Sequence, residues 1–202
     1  MILQRQAILG LIGQKKLVIR PLLEMSQIDD VSIDFRLGYD FLVSVQSREP
    51  FINASLNNYN QKPISTFFQE TRRKMGETFM LYPNQTVLTS SLEYIKLPNN
   101  VLLELNMRSS YTRLGITIST IIQPGYCGCM SLELTNTNKN PINLTVGSRI
   151  FQARFTLLTS DSNYFSNDRK YICQVRPEAS AVNQDKDLVI LHKLWQESNK
   201  EH

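Results

Sequence analysis

The chain has 202 residues, of which 42% are hydrophobic and 20% are charged, and its 22 Lys and Arg outnumber its 18 Asp and Glu. This length predicts one domain with room for a short extension, and the apolar content excludes disorder throughout. The sequence has no apolar run of about 18 residues, so we predict no membrane span and no membrane partner. A net charge of +4 that is spread along the chain does not indicate nucleic-acid binding.

The cysteines and the first residues bear on the compartment. Cys127, Cys129 and Cys173 are an odd number without a disulfide spacing, and the Cys-x-Cys pair lacks the second pair of ligands that a structural zinc site needs. Residues 1–6 lack the charged leader and apolar stretch of a secretory signal. We therefore expect a cytoplasmic protein without zinc, whose cysteines are small apolar strand residues.

One short helix is predicted, and it comes first. Residues 7–12 carry apolar side chains at helical spacing, and Gly13 would end the helix. Strands are predicted where apolar and polar residues alternate or branched residues cluster, at residues 17–19, 31–37, 79–82, 86–92, 94–95, 101–105, 130–134 and 150–158. Gly38 is expected to close the second of these strands.

The spacing of these strands sets the predicted fold class. Many short strands between turn signals are typical of a mainly β chain, either a sandwich or a jelly-roll-like distorted β-barrel, here with a short N-terminal helix. The last stretch changes character, with an apolar run followed by a polar end. We predict one domain over residues 1–182 and a C-terminal extension over residues 183–202 that forms an extra strand or helix.

The densest polar stretch runs over residues 108–115 and contains two guanidinium groups, from Arg108 and Arg113, and several hydroxyls, including those of Ser109 and Ser110. Arginine presents a planar fork that suits phosphate oxygens, and serine hydroxyls add donors. The same composition also fits a polar turn between strands. The residues alone favour the polar turn.

Glu133 is a charged residue inside a predicted strand. It lies on the face opposite Met130, Leu132 and Leu134. If that face is closed, burial raises the pKa of the carboxyl and lets it carry a proton near neutral pH. If the face is open, Glu133 is an exposed strand residue paired with a lysine. Periodicity alone favours the exposed alternative.

A set of motifs in a fixed order adds to this picture. They are Val31-Ser32-Ile33-Asp34-Phe35-Arg36-Leu37-Gly38, Arg108-Ser109-Ser110 with Arg113-Leu114-Gly115, Pro124-Gly125-Tyr126, Leu132-Glu133-Leu134, Arg149-Ile150 with Gln152, and Lys170-Tyr171 with Gln174. In order and spacing they resemble the dCTP deaminase family, the metal-free branch of the trimeric dUTPase-like superfamily. The resemblance covers residues 1–181 and implies a dUTPase-like fold.

The resemblance also implies an activity and roles for matching residues. The activity is hydrolytic deamination of dCTP to dUTP and ammonia in pyrimidine deoxynucleotide metabolism. Glu133 matches the catalytic glutamate, the general base for the water that attacks the cytosine ring, and Ser109 and Arg113 match the residues that position this water and the base. The matching substrate-binding residues are Arg108, Ser110, Gln123, Gln152, Tyr164, Lys170, Tyr171 and Gln174.

The family further implies a homotrimer whose sites are shared between subunits, and a Mg²⁺ ion held through the nucleotide phosphates. The chain departs from the family pattern in one loop. Residues 116–123 form a stretch a few residues shorter than usual, and Gln123 stands where the family has the aspartate that holds the sugar hydroxyl. Two alternatives therefore stay open: a bifunctional enzyme that continues to dUMP and pyrophosphate, and a non-catalytic nucleotide-binding relative.

Overall fold

A computed structural model describes residues 1–55, 62–118, 120–166 and 169–199 of the chain. Two compact units make up the structure. Unit 1 comprises Met1–Val43 and Glu70–Glu178, and unit 2 comprises Ser44–Gln69 and Ala179–His202. No helix in the described ranges is long and apolar enough to cross a membrane.

Strands dominate the secondary structure. The helices are α1 (Arg5–Gly13), α2 (Ser109–Thr112) and α3 (Lys186–Ser198). The strands are β1 (Val18–Arg20), β2 (Ile33–Ser44), β3 (Phe68–Arg72), β4 (Thr78–Leu81), β5 (Thr86–Lys96), β6 (Val101–Met107), β7 (Ile116–Thr117), β8 (Thr120–Ile122), β9 (Cys127–Asn136), β10 (Ile142–Thr145) and β11 (Arg149–Leu157). The predictions of a mainly β chain and of a short N-terminal helix are confirmed.

Nine of these strands form one sheet in the order β7-β9-β5-β2-β11-β6-β8, with β1 paired to β5 and β3 paired to β2. The remaining two, β10 and β4, pair with each other. Apolar residues on one face of each strand form the core, as in β6, where Val101, Leu103, Leu105 and Met107 are buried. This alternation is the period-two pattern that predicted the strands. Helix α1 adds Ile8 to the same core.

The sheet curls strongly. In the strand order, β8 is at one end and β9 is next to the other end, yet the Thr120 hydroxyl on β8 donates a hydrogen bond of 3.4 Å to the Glu133 carboxylate on β9. Two strands from opposite ends of a flat sheet could not touch, so the sheet is bent into a half-barrel. This curvature agrees with the predicted distorted barrel.

Gly38 does not close a strand as expected. Strand β2 runs through it to Ser44, because the glycine lets two strands approach each other closely. A Cβ at Gly38 would lie 2.6 Å from the backbone oxygen of Ser90 on β5, a separation that no side chain tolerates. The two predicted strands at residues 86–92 and 94–95 are likewise one strand, β5, with a register shift between Ser90 and Tyr94.

Unit 2 is the smaller of the two units. The backbone NH of Val45 donates to the oxygen of Phe67, and Lys62 forms a 2.6 Å ion pair with Glu49. The C-terminal extension forms a helix, α3, and none of its residues, all of which are described, is buried. Residues 200–202 of the extension lie outside the described residues. The predicted domain boundary at residue 182 remains a prediction.

Candidate active site

An open cleft of about 490 Å³ lies in unit 1, beside the first turn after β6. Its volume is within the range of small-ligand sites. The lining residues are mostly polar: Asn106, Met107, Ser109, Thr112, Arg113, Gln152 and Arg154. None of these described lining residues is acidic, and two are arginines, so the cleft suits a negatively charged ligand. Three residues that the sequence predicted for the site, Ser109, Arg113 and Gln152, therefore meet here.

The turn at α2 fixes the position of Ser109 and Arg113. Helix α2 begins directly after β6, and the backbone NH of Arg113 donates to the oxygen of Ser109 at 3.0 Å. Residues four apart on a helical turn lie on the same side, so both side chains face the cleft. Ser110 is exposed and is not among the described residues that line the cleft.

Arg108 connects this turn to the sheet. Its backbone NH donates to the oxygen of Ile150, its Nη1 donates to the oxygen of Arg149 at 3.2 Å, and its Nε lies 3.5 Å from Oδ2 of Asp34. Burial raises the pKa of Asp34, and the Arg108 guanidinium opposes that rise. In this chain Arg108 therefore anchors α2 to β11 and β2, while Arg113 remains exposed to the cleft.

Glu133 is on β9, between the buried Leu132 and Leu134. Its side chain is exposed by area in the single chain, which agrees with the alternative that periodicity favoured. Nevertheless it is crowded by neighbouring protein atoms, and the resulting loss of water raises its pKa, while the hydrogen bond from Thr120 lowers it. Such a carboxyl holds a proton at higher pH than a free glutamate does, which suits a group that transfers protons.

A second recess of about 290 Å³ shares Asn106 with the main cleft. It is lined by Glu104, Leu105, Asn106, Thr120 and Ile121. Asn106 lines both the recess and the cleft, and Thr120 touches Glu133. Ser109 and Arg113 thus line the cleft, while Glu133 is connected to the recess only through its hydrogen bond with Thr120 and is not among the described residues that line either space.

The predicted substrate-binding residues between positions 164 and 174, a segment called the tail below, lie elsewhere in unit 1. Gln174 is buried, and its backbone oxygen accepts a 2.7 Å hydrogen bond from the NH of Cys129 at the start of β9. The Tyr164 ring is buried against Tyr126, and its hydroxyl donates to the oxygen of Tyr171. Cys129 and Glu133 are four residues apart on one strand, which is about 13 Å.

None of the four predicted residues in this tail, Tyr164, Lys170, Tyr171 and Gln174, is among the described residues that line the cleft. Burial raises the pKa of Tyr164, and the guanidinium of Arg169, which stacks 4.5 Å above its ring, opposes the rise. Nε2 of Gln174 is buried and has no hydrogen-bond partner among the described residues. The substrate-binding role of this segment stays a prediction.

Gln123 follows β8 and is exposed. Its backbone oxygen accepts from the NH of Tyr126, which closes the turn at Pro124-Gly125. The loop that sequence analysis described as shortened contains the two short strands β7 and β8, with Ser119 between them outside the described residues. Gln123 is not among the described residues of the cleft or the recess.

The sequence did not predict four of the cleft residues, Asn106, Met107, Thr112 and Arg154, nor any of the five recess residues, which include Thr120. A signal for Arg154 was available, because residues 152 and 154 share one face of the strand β11 and Gln152 was predicted. The register pairs Gln152 with Asn106 and Arg154 with Glu104. Thr120 had no signal, since only the curl of the sheet brings β8 to β9.

The described residues contain no group of three or more His, Cys, Asp or Glu side chains that could hold a metal ion. The lining of the cleft is also free of carboxylates within those residues. Magnesium prefers oxygen ligands and usually binds through one or two carboxylates and substrate phosphates. The residues around the cleft therefore do not fit a magnesium site built by the protein alone.

The chain is similar to known proteins over most of its length. A family model described as dCTP deaminase-like matches residues 2–158. A protein named dCTP deaminase, dUMP-forming, from Methanobrevibacter smithii is 31% identical over 194 residues, which cover 93% of this chain and 98% of that protein. A protein named dCTP deaminase from Halorubrum lacusprofundi is 34% identical over 192 residues, covering 92% of this chain and 93% of that protein.

A solved structure agrees with the fold. The crystal structure of 2'-deoxycytidine 5'-triphosphate deaminase from Agrobacterium tumefaciens matches with a TM-score of 0.59 and 25% sequence identity. The match covers 77% of this chain, and the chain spans about half, 48%, of the length of that solved chain. The predicted fold is confirmed by this match together with the mainly β half-barrel.

Proposed function

The chain belongs to the dCTP deaminase-like family, and on that basis we propose that it catalyses the hydrolytic deamination of dCTP to dUTP and ammonia. The observation that carries the proposal is the cleft, where Ser109, Arg113 and Gln152 meet beside a recess whose Thr120 hydrogen-bonds to Glu133. The cleft holds two arginines and no described carboxylate, as a triphosphate requires. The odd number of cysteines favours a cytoplasmic location.

In this proposal Glu133 is the general base. Its ionised carboxylate accepts a proton from a water molecule as the water oxygen attacks C4 of the cytosine ring. The same carboxyl then delivers that proton to the amino group, and the C4–N bond breaks as ammonia leaves. The second water proton passes from the C4 hydroxyl to N3 as the C4 carbonyl forms, so atoms and charge balance for the overall reaction with one water. The raised pKa of Glu133 suits a group that must both accept and return a proton.

Ser109 and Arg113 stabilise and orient the reacting groups. Their side chains lie on the same side of the α2 turn, on the cleft side of Asn106. Charge develops on the ring as the water attacks, and a fixed guanidinium and hydroxyl directed at that position lower the barrier without reorganising. Gln152 and Arg154, which are two residues apart on β11, are placed to bind the phosphates.

The position of the tail supports a site that is shared between copies of the chain. The predicted nucleotide contacts of the tail meet β9 near Cys129, about 13 Å along the strand from Glu133 at about 3.3 Å per residue. A single copy therefore presents the general base and the tail at two separate places. A homotrimer in which the tail of one subunit covers the cleft of its neighbour would complete both.

Magnesium belongs to the substrate in this proposal. Because the described residues offer no carboxylate cluster to the cleft, the ion would arrive with the nucleotide, held by phosphate oxygens and water. When bound it offsets part of the triphosphate charge. The guanidiniums of Arg113 and Arg154 supply the protein's own share of that neutralisation.

A second candidate function is a bifunctional reaction that continues to dUMP and pyrophosphate. The names of the relatives favour it, since proteins from Methanobrevibacter smithii and Dictyoglomus turgidum are both named dCTP deaminase, dUMP-forming.

Product analysis distinguishes the candidates. The purified chain is incubated with Mg²⁺ and dCTP, and in a separate reaction with Mg²⁺ and dUTP, and ammonia, dUTP, dUMP and pyrophosphate are quantified. Ammonia and dUTP in equal amounts from dCTP support the deaminase, and dUMP with pyrophosphate from either substrate supports the bifunctional enzyme. No turnover of either nucleotide, together with measurable dCTP binding, would contradict both and leave the non-catalytic nucleotide-binding alternative.

A further inference from the structure

Two cysteines that the proposed reaction does not use lie next to each other in unit 1. Sγ of Cys127, the first residue of β9, is 2.9 Å from Sγ of Cys173 in the tail. This separation is closer than ordinary van der Waals contact between sulfur atoms, so a small shift would join them. Cys173 is exposed and Cys127 is half-buried, so reagents in solution can reach the pair.

The backbone around the pair holds the two sulfurs together. The NH of Cys129 donates to the oxygen of Gln174 at 2.7 Å. Between the cysteines of β9, Gly128 has φ of +147°, and a Cβ there would lie 2.5 Å from the same Gln174 oxygen. Only glycine permits so close an approach of the tail to the strand. Backbone contacts, and not only the two side chains, therefore hold Cys127 and Cys173 next to each other.

Two further contacts anchor the tail on either side of Cys173. The Tyr164 hydroxyl donates to the oxygen of Tyr171 at 3.2 Å, and Nε of Arg176 lies 3.8 Å from Oδ2 of the buried Asp40. Cys173 itself has a positive φ of +52°, which is uncommon for a residue with a side chain and turns its Sγ toward the strand. The tail thus reaches Cys127 from a fixed direction.

We propose that Cys127 and Cys173 are an oxidation site that forms an intramolecular disulfide with a small-molecule disulfide as the oxidant. The exposed Cys173 attacks first, as the thiolate, forming a mixed disulfide and releasing one small thiol. Cys127 then attacks the Cys173 sulfur, forming the protein disulfide and releasing the second small thiol. Two S–H bonds are lost, one S–S bond forms in the protein, and the oxidant is reduced to two thiols.

The disulfide would fasten the tail to the strand that carries Glu133. Hydrogen bonds and one ion pair hold the segment now, and each can open independently. A covalent link would remove that freedom for the residues next to it, which include Lys170, Tyr171 and Gln174. Any effect of oxidation on turnover rests on the proposed function, whereas formation of the bond and fastening of the tail do not.

The test uses the full chain and oxidised glutathione, with no activity assay. We expect the free thiols per chain to fall from three to one, the mass to fall by two hydrogen atoms, and peptide mapping to find Cys127 joined to Cys173. Trypsin cleavage after Lys170 is expected to slow about tenfold or more on oxidation and to recover with reductant. Cys129→Ser is the matched control: its free thiols should fall from two to none, and its mass loss and slower cleavage should equal those of the parent chain.

Cys173→Ser provides the second variant, because its exposed position makes a folding defect the smaller risk. In that variant oxidised glutathione should cause neither the mass loss nor the slower cleavage. Three results with the parent chain would overturn the proposal: three free thiols after oxidation, a stable glutathione adduct on Cys173, or disulfides that form only between chains. A disulfide that leaves the cleavage rate unchanged would overturn the fastening of the tail.

Discussion

The Thr120 hydroxyl donates a 3.4 Å hydrogen bond to the carboxylate of Glu133, although β8 is at one end of the strand order and β9 is next to the other end. Only the curl of the half-barrel brings them together. The contact connects the fold with the proposed chemistry, because Thr120 lines the recess that shares Asn106 with the cleft. It is also long for a hydrogen bond between oxygens, so it constrains the carboxylate weakly.

Thr120 is expected to tune the proton affinity of Glu133. Its hydrogen bond lowers the pKa of that carboxyl against the rise that desolvation causes. The Thr120→Val variant loses the bond, so the pKa of Glu133 rises further. A general base acts only when deprotonated, so the acid limb of the kcat/KM pH profile should move to higher pH. The profile is measured with dCTP, and Thr120→Ser, which keeps the hydroxyl, should retain the parent's limb; an unmoved limb in Thr120→Val would contradict the role.

Arg154 is expected to bind the phosphates, although sequence reasoning did not single it out. It is exposed and lines the cleft two residues after Gln152. Loss of a hydrogen bond to a charged group costs about 1.5–3 kcal/mol, so Arg154→Gln should raise the KM for dCTP about 10- to 100-fold with little change in kcat.

Steady-state kinetics with dCTP and dCMP check the Arg154 prediction. The effect should shrink for dCMP, which lacks two phosphates, and Arg154→Lys should be intermediate because it keeps the charge without the planar fork. Arg48→Gln, an exposed arginine of unit 2, is the matched control. Equal effects on dCTP and dCMP would argue against a phosphate contact.

Gln123 is expected to limit binding of the sugar. It stands where the family it resembles has an aspartate, and charge-assisted hydrogen bonds are roughly twice as strong as neutral ones. Gln123→Asp should therefore lower the KM for dCTP several-fold, and Gln123→Asn should not. The gain should vanish with 2',3'-dideoxy-CTP, which lacks the 3'-hydroxyl. A variant that weakens dCTP binding would show that Gln123 does not occupy the sugar position.

Glu93 should make the stability of the fold depend on pH. It is fully buried on β5, accepts hydrogen bonds from Nε2 of Gln27 and the NH of Arg36, and burial raises its pKa to about 7. The folded state then holds more protons than the unfolded state between about pH 4.5 and 7, so the free energy of unfolding falls as pH rises through that window and levels off above it.

Denaturant unfolding from pH 5 to pH 8 tests the Glu93 prediction. The Glu93→Gln variant keeps an oxygen to accept from Gln27 and cannot ionise. Relative to the parent, its free energy of unfolding should rise with pH by about 3 kcal/mol in total, since each pKa unit corresponds to about 1.4 kcal/mol. A parallel pH dependence in the two proteins would show that Glu93 does not titrate in this range.

The regular strands could be predicted from the sequence because their burial is local. Apolar and polar residues alternate in residues 101–105 and 130–134, which indicates one buried and one exposed face. Both segments lie in strands of the structure. Gly38 was misjudged because a glycine that ends a strand and a glycine that admits a neighbouring strand look the same in one chain. Only the position of Ser90 on β5 distinguishes them.

Part of the site could be predicted because it depends on local geometry along the chain. Ser109 and Arg113 share one turn, so their common side follows from local geometry. The approach of Thr120 to Glu133 and the burial of Gln174 against β9 depend on the curl of the sheet and on the path of the tail. These are long-range properties of the fold, and no spacing along the chain encodes them.

The role of Glu133 as the general base is tested most directly by ammonia release from Mg²⁺-dCTP. The rate is compared for the parent chain, Glu133→Gln and the control Glu197→Gln, and the dCTP affinity of each protein is measured. Glu197 is on α3 in unit 2 and is exposed. The account predicts that Glu133→Gln binds dCTP nearly as well as the parent while kcat falls by about 10²- to 10⁴-fold, and that Glu197→Gln is unchanged. Ammonia release by Glu133→Gln at the parent's rate would contradict the account.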